Sequence, residues 1–320
     1  MSSSLAGTRL GRRVSGLPPV TFFLTSAVFH YLGPSLAVLL FVHVEVLGVA
    51  WLRIVSAAVV LAIWRRPWRL LARLDGAQRR LLVALGVVLA ARNALFYLAV
   101  DRLPLSTVGA IEFLGTVVVA AVGVRSGRNL LALLLAVARV AVLVDVRFAG
   151  EPLGFLFAFA NCVGFMLYVV LGHRLANQRT AAGGDELSGL DLLAAAMIVA
   201  AAAVMPLGLG EAVAAVGHPT WLLWGIGVGI CSSVVPYVAD QLAMARLPRA
   251  RFALMLSLLP AFATVIGLVV LGQVPTVGDL AGVLLVVVGV AVHREPVARL
   301  PGPTGAGRCA GCRDGWLRRG

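Results

Sequence analysis

Four charged residues interrupt the long apolar stretches of this 320-residue chain: Arg53, Arg92, Glu112 and Arg139. A charged side chain at the centre of a membrane span costs about 2.5–3.5 kcal/mol on insertion scales, so such residues usually face a partner or a cavity. An arginine can bind a carboxylate bidentately, and a glutamate can bind an ammonium group or a proton. The four residues therefore predict a binding site for a zwitterion.

The predicted depth of these four residues in the bilayer also allows a second, purely structural interpretation. All four residues are predicted near the bilayer centre, where Glu112 can pair with one arginine simply to hold two helices together. The stems of the other arginines can then reach toward the outer membrane surface. We prefer this structural interpretation for Arg139 alone, and we take Glu112, Arg92 and Arg53 as candidates for substrate binding and coupling.

A second group of candidates is polar but uncharged and lies in similar apolar stretches: Asn93, Tyr97, Ser232, Ser233, Tyr237 and Gln241. These side chains are predicted either to line the cavity or to form ordinary hydrogen bonds between helices. Pro236 interrupts the helical hydrogen-bond ladder, which frees backbone carbonyl groups for a ligand.

Three titratable residues are expected closer to helix ends. Asp240 is predicted about one turn from the cytoplasmic end of its helix, where it is either a gate partner of Arg246 or a hydrated helix end. His30 and His43 are predicted to lie at the membrane interface rather than to relay protons.

The elements that must position these side chains are membrane helices, because the chain is too apolar for a soluble domain. Hydrophobic residues make up 60% of it and charged residues 13%, and its mean hydropathy is +0.97. A soluble domain carries about 25% charged residues. All 27 basic residues are arginine. Since a P-loop and a Schiff base both need lysine, the sequence excludes a Walker-type ATPase and a lysine-imine protein.

Other functional classes fit the sequence less well. A membrane enzyme lacks support because the sequence contains no H-E-x-x-H or G-x-S-x-G motif, and no cofactor is predicted. The net charge of +13 is assigned to arginines that flank membrane helices and meet anionic lipid head groups, so nucleic acid is not expected as a partner. Cys309 and Cys312 offer only two zinc ligands, so no metal site is predicted. A non-transporting membrane protein gives no reason for the buried charges.

Ten apolar segments follow when the chain is divided at charges, prolines and polar clusters, since a span needs about 20 mainly apolar residues. They are 20–40, 46–64, 81–99, 104–124, 129–145, 152–172, 190–207, 221–244, 252–271 and 274–293. Outside the spans, Arg102 and Arg147 lie on one side and the other arginines on the opposite side, which the positive-inside rule makes cytoplasmic. Both termini are therefore predicted in the cytoplasm, as a tail at 1–19 and a disordered tail at 294–320 that enclose five-helix halves at 20–148 and 149–293.

A seven-residue sequence repeats between the two halves and indicates inverted topology. Residues 98–104 read Leu-Ala-Val-Asp-Arg-Leu-Pro and residues 242–248 read Leu-Ala-Met-Ala-Arg-Leu-Pro, with five identities. Five predicted spans separate the copies, so the copies face opposite sides of the membrane. The predicted fold is an all-α integral membrane protein of ten transmembrane helices in two inverted five-helix repeats, with a site near the midplane. Gly225 and Gly229 predict a close-packed helix contact.

The residues around these candidates resemble EamA-type carriers of the drug/metabolite transporter superfamily. The similarity rests on Asn-Ala-Leu-Phe-Tyr-Leu-Ala at 93–99 and Glu-Phe-Leu-Gly at 112–115, and on Ser-Ser-Val-Val-Pro-Tyr at 232–237 and Ser-Leu-Leu-Pro-Ala at 257–261. Within the superfamily the chain most resembles the inner-membrane threonine and homoserine exporters. The resemblance implies a secondary transporter of the inner or plasma membrane that exports small amino-acid-like solutes in exchange for protons.

The chain departs from the exporter pattern at four positions. Thr116 stands where a proline is expected, Leu259 and Asp240 stand where glutamates are expected, and Arg139 stands where a glycine is expected. A mechanism that relies on a glutamate in the ninth helix is therefore excluded. Export of another small metabolite or of a drug-like solute stays open as the alternative.

Overall fold

Apolar stretches bounded by arginine, proline or glycine form α-helices in the computed structural model of the chain. It describes residues 18–123, 151–181, 189–244, 246, 255, 258–277, 280–281 and 284. Within these residues there is no β-strand. This is expected, because a single segment in lipid can pair its backbone N–H and C=O groups with one another only as a helix. The predicted fifth span, Arg139, both tails with Cys309 and Cys312, and most of the predicted tenth span lie outside the described residues.

The helices that position the charged residues follow one another in chain order. They are α1 (Pro19–Leu40), α2 (Val46–Arg65), α3 (Gly76–Val100), α4 (Leu105–Gly123), α5 (Pro152–Ala181), α6 (Gly189–Val216), α7 (Pro219–Gly229), a π-helix (Ile230–Val234), α8 (Val235–Met244) and α9 (Leu259–Leu271), with a short helical turn at Trp68–Leu71. In the described part of the chain six segments are long and apolar enough to cross a membrane: α1, α2, α3, Pro152–Leu175, α6 and Pro219–Asp240. These six coincide with predicted spans.

Local sequence signals explain where several helices begin and end. The Asp75 side chain accepts a hydrogen bond from the backbone nitrogen of Gln78 at 2.7 Å, and the Gln78 side chain reaches back to the Asp75 nitrogen. This capping box starts α3. Arg66, with φ 51°, ends α2 in the left-handed conformation just before Pro67, and Gly272, with φ 64°, ends α9 in the same way.

The α2–α6 pair joins the two halves of the sequence and is bound by polar contacts at both ends. Arg65 forms an ion pair with Asp191 at 2.7 Å. At the other end, the Glu211 carboxylate accepts a hydrogen bond from the backbone nitrogen of Gly48 at 3.0 Å. Because the Glu45 side chain makes no cap hydrogen bond to α2, Glu211 supplies from α6 the negative charge that the α2 N-terminus favours.

The remaining helices pack in a reciprocal way. The third helix of the first half, α3, packs along α5, which opens the second half, whereas α8 packs along α1. The α4 helix lies between α5 and α9. The predicted close contact of Gly225 and Gly229 is confirmed, since added Cβ atoms there would collide with Leu52 and Ser56 of α2. Each half thus contributes helices to the other half's core.

The outer surface of this bundle is apolar, as membrane lipid requires. Large hydrophobic side chains such as Ile63, Leu156, Val213 and Leu223 are more than half exposed. A soluble monomer rarely exposes so much contiguous apolar surface. Polar side chains such as Asn93, Glu112 and Asn161 instead point inward and are buried. The chain is therefore a multi-pass membrane protein with a polar interior.

Candidate functional site

Two of the four charges predicted inside the membrane form an ion pair in the helix bundle. Arg92 of α3 donates a hydrogen bond to the Glu112 carboxylate of α4, and both side chains are buried. The Arg92 guanidinium also lies over the rings of Phe165 and Tyr168 of α5, at 4.9 and 5.8 Å from their centroids. Gly164 of α5 makes room for the arginine, because an added Cβ there would lie 3.0 Å from Arg92 Cβ.

Arg53 of α2 lies apart from both ion pairs that the described residues form. Its Nε donates to the Ser233 hydroxyl at 3.3 Å, and its Nη2 donates to the Ser232 carbonyl at 3.4 Å. These hydrogen bonds are long compared with the usual 2.7–3.2 Å. The guanidinium carbon lies 5.2 Å from the centre of the Tyr97 ring. Arg53 is therefore a half-buried cation with weak polar partners.

The π-helix and Pro236 explain why a backbone carbonyl is available to Arg53. A proline has no N–H to donate to the carbonyl four residues earlier, which here is that of Ser232. The helix widens to a π-turn over Ile230–Val234 immediately before this point, and such turns frequently occur at functional sites. The carbonyl predicted to be freed for a ligand is thus contacted by Arg53 in this structure.

Buried hydroxyl groups beside Arg53 lack hydrogen-bond partners. The Tyr97 hydroxyl lies near Ser232 and Arg53, but neither it nor the Ser232 hydroxyl makes a hydrogen bond of standard geometry. Both residues are at most 2% exposed. Since buried polar groups in native proteins are nearly always paired, two unpaired hydroxyls side by side indicate a place where a polar ligand or water binds.

The remaining polar candidates differ in how they face this interior. Asn93 donates to the Leu89 carbonyl of its own helix at 2.7 Å, as in ordinary helix bonding. Tyr237 lies within electrostatic range of Arg92 and Tyr168. The side chain of Gln241 lies outside the described residues.

Asp240 does not pair with Arg246. Its carboxylate lies close to the Ser26 hydroxyl of α1 and within electrostatic range of His30, whereas Arg246 lies over the ring of Phe22 at 4.5 Å. The gate pair that the sequence suggested is absent from this arrangement.

The prediction that His30 lies at the membrane interface is wrong. His30 occupies the middle of α1 and lies within electrostatic range of Glu112, Asp240, Arg53 and Arg92. Position along the chain already indicated this, because His30 lies at the centre of the predicted span 20–40. The charges within range of His30 come from helices far away in sequence.

Sequence reasoning also missed Asn161 of α5. This side chain is fully buried, and neither its oxygen nor its nitrogen has a hydrogen-bond partner. It stands in the middle of an apolar span, so the rule that identified Glu112 would have found it if applied to amides.

Metal chemistry receives no support from the geometry. Among the described residues, no group of three or more histidine, cysteine, aspartate or glutamate side chains lies close enough to hold an ion. The site thus consists of one buried ion pair, one cation with weak partners, a histidine and several unpaired hydroxyl and amide groups. This set suits a small ligand that carries both charges and hydrogen-bonding groups.

Comparisons with known proteins relate most of the chain to one type of membrane protein. The profile of the EamA-like transporter family matches residues 152–293. The threonine/homoserine exporter RhtA of Escherichia coli K12 is 32% identical over 263 residues, which cover 81% of this chain and 85% of that protein. RhtA of Salmonella typhimurium LT2 is 32% identical over 249 residues, which cover 76% and 80% of the two chains.

One solved crystal structure shares the fold. It is 19% identical in sequence, superposes with a TM-score of 0.53, and the match covers 85% of this chain and 96% of that one.

Proposed function

Since this chain belongs to the EamA-like transporter family, we propose that it is a secondary transporter of the plasma membrane that exports threonine, homoserine or similar small amino acids. The observation that carries the substrate class is the polar interior, where a weakly bound Arg53 lies in the same helix bundle as the Arg92–Glu112 ion pair. A zwitterionic amino acid presents one carboxylate and one ammonium group. The interior offers a counter-charge for each.

In the proposed complex, Arg53 binds the carboxylate of the substrate. The guanidinium exchanges its two long hydrogen bonds, to Ser233 and to the Ser232 carbonyl, for a bidentate pair with the ligand. Arg92 is less suited to this role because it is already neutralised by Glu112.

Glu112 then binds the ammonium group while it remains beside Arg92. The hydroxyl that threonine and homoserine carry has partners in the unpaired Tyr97 and Ser232 hydroxyls. Asn93, Ser233 and Tyr237 shape the rest of the cavity, and Pro236 keeps the Ser232 carbonyl accessible.

We further propose ten transmembrane helices arranged as two inverted repeats, 20–148 and 149–293, with both termini in the cytoplasm. The reciprocal packing of α3 on α5 and of α8 on α1 supports this arrangement. The repeated arginines support it as well, because Arg102 lies over Phe157 near the start of α5 and Arg246 lies over Phe22 near the start of α1. Inverted repeats favour alternating access, in which one half rocks against the other.

The energy source is proposed to be the proton gradient. The chain contains no lysine for a P-loop, and a layer of titratable groups lies inside the bundle.

Transport into proteoliposomes tests the proposal. We expect radiolabelled homoserine and threonine to accumulate when a pH gradient is imposed. Arg53→Gln should abolish this transport, whereas Arg102→Gln, which removes an exposed arginine outside the cavity, should leave it unchanged. Homoserine lactone lacks the carboxylate, so its movement should be insensitive to Arg53→Gln.

The proposed function is wrong if the wild-type protein moves no amino acid under any gradient. The role of Arg53 alone is wrong if Arg53→Gln transports homoserine as well as the wild type does.

A further inference from the structure

His30 lies near the middle of α1, and so near the middle of the membrane. It is 11 residues from Pro19 and 10 from Leu40, the ends of α1, which places it about 16 Å from the helix start at about 1.5 Å per residue. Half of a hydrocarbon core of about 30 Å corresponds to that distance. The imidazole ring is fixed against Tyr31, with ring centroids 5.2 Å apart in an edge-to-face arrangement.

Charged side chains of four other helices lie within electrostatic range of this imidazole. Arg53 comes from α2, Arg92 from α3, Glu112 from α4 and Asp240 from α8. His30 itself is half-buried.

A second titratable group, Asp240 of α8, lies beside the part of α1 that is nearer to the helix start. Ser26 precedes His30 by one helical turn, so the two residues lie on one side of α1, and the Ser26 hydroxyl lies close to the Asp240 carboxylate. One turn earlier, Phe22 carries Arg246 over its ring. A line of contacts therefore runs along α1 from the end of α8 to the bundle centre.

Glu112 is poorly suited to carry a proton alone. Its carboxylate is bound to Arg92, so protonation would leave a buried guanidinium without its counter-charge, which is strongly unfavourable. Among the described residues Asp240 forms no ion pair, and the Ser26 hydroxyl and His30 lie near it. Histidine is the side chain whose ordinary titration range spans physiological pH.

We propose that His30 and Asp240 form the proton-coupling pair of the transporter, while Glu112 serves the substrate. This inference rests on the proposed transport function and deepens it. His30 binds one proton when the cavity opens to the outside, and the proton then moves along α1, past the Ser26 hydroxyl, to the Asp240 carboxylate. Asp240 releases the proton at the end of α8 that we place on the cytoplasmic side, so one proton enters for each amino acid that leaves.

The experiment separates coupling from substrate movement. In proteoliposomes, exchange of internal for external homoserine needs no net proton transfer, whereas accumulation against a gradient does. We expect His30→Gln and Asp240→Asn to lose accumulation driven by a pH gradient but to keep exchange. Their exchange should also lose the pH dependence that the wild type shows.

His43→Gln is the matched control. His43 follows the end of α1 and stacks on Trp221 with ring centroids 4.8 Å apart, far from the charged interior, so this variant should keep both activities. Ser26→Ala removes the hydroxyl that lies close to Asp240 and should weaken accumulation without abolishing it. If His30→Gln fails to fold, accumulation and exchange are compared in Asp240→Asn and Ser26→Ala instead.

The outcomes are distinguishable. The inference is overturned if both His30→Gln and Asp240→Asn accumulate homoserine with the pH dependence of the wild type. Loss of exchange together with accumulation in a folded variant would also overturn it, because it would place the residue in substrate binding. A wild-type protein that neither exchanges nor accumulates amino acids would instead contradict the proposed function.

Discussion

The two residues of the Arg92–Glu112 ion pair serve both the stability of the bundle and its proposed function. A buried ion pair contributes little net stability compared with apolar residues of similar size, but the loss of one partner is severe. Here the pair joins α3 to α4, and its arginine also rests on two aromatic rings of α5. The three helices are therefore held at the place where the substrate is proposed to bind.

At this scale we expect Glu112→Gln to lower the free energy of unfolding by about 3–5 kcal/mol, because it leaves Arg92 buried without a counter-charge. Transport and exchange should both be lost, although the protein still inserts into the membrane. The double variant Arg92→Met, Glu112→Gln should recover most of the stability but no transport. Thermal unfolding in detergent and homoserine exchange measure the two effects. Equal stability of the single and double variants would contradict a structural role for the pair.

The contact between α1 and the π-helix depends on one glycine. An added Cβ at Gly33 would lie 2.6 Å from the Ser232 nitrogen and 2.7 Å from its Cα, closer than real atoms approach. The same contact buries Ser232 and its unpaired hydroxyl. The position of the π-helix, and with it the Ser232 carbonyl that Arg53 contacts, thus depends on the absence of a side chain on α1.

We therefore expect Gly33→Ala to destabilise the protein by about 1–3 kcal/mol, as overpacked cores do, and to reduce homoserine exchange. Gly227→Ala is the matched control, because a Cβ at Gly227 meets nothing within 4 Å and alanine favours the helix. Thermal unfolding of both variants checks this. If the two alanines have the same effect, the close approach of α1 is not what positions the π-helix.

At the scale of the whole molecule, the two copies of the repeated heptapeptide should face opposite sides of the membrane. Arg102 and Arg246 are both exposed and each lies over a phenylalanine of the other half. The proposed inverted repeat requires Arg102 to be extracellular and Arg246 to be cytoplasmic.

Single cysteines in a background without the four natural ones test this topology. In intact cells, a membrane-impermeant maleimide should label Arg102→Cys and leave Arg246→Cys unlabelled. In inverted vesicles, the pattern should reverse. Labelling of both positions from the same side would rule out an inverted repeat, whatever the substrate is.

The sequence predicted helix positions better than the contacts inside the site. Arginines, prolines and glycines bound the helices, so segment ends such as those of α2 follow from local chemistry. The choice of Arg92 rather than Arg53 as the partner of Glu112 depends on how α2, α3 and α4 rotate about their axes, which no local pattern encodes. The charged neighbours of His30 were not predicted for the same reason, since Asp240 comes within its electrostatic range from 210 positions later in the chain.

The ion pair and the hydrogen bond between α2 and α6 also limit how the protein can move. Sliding one helix along the other by a single turn, about 5.4 Å, would break both the Arg65–Asp191 pair and the Glu211 cap on Gly48. A rotation of the pair as one body breaks neither. In the proposed alternating-access cycle we therefore expect α2 and α6 to move as one body, while the helices on either side of them open and close the cavity.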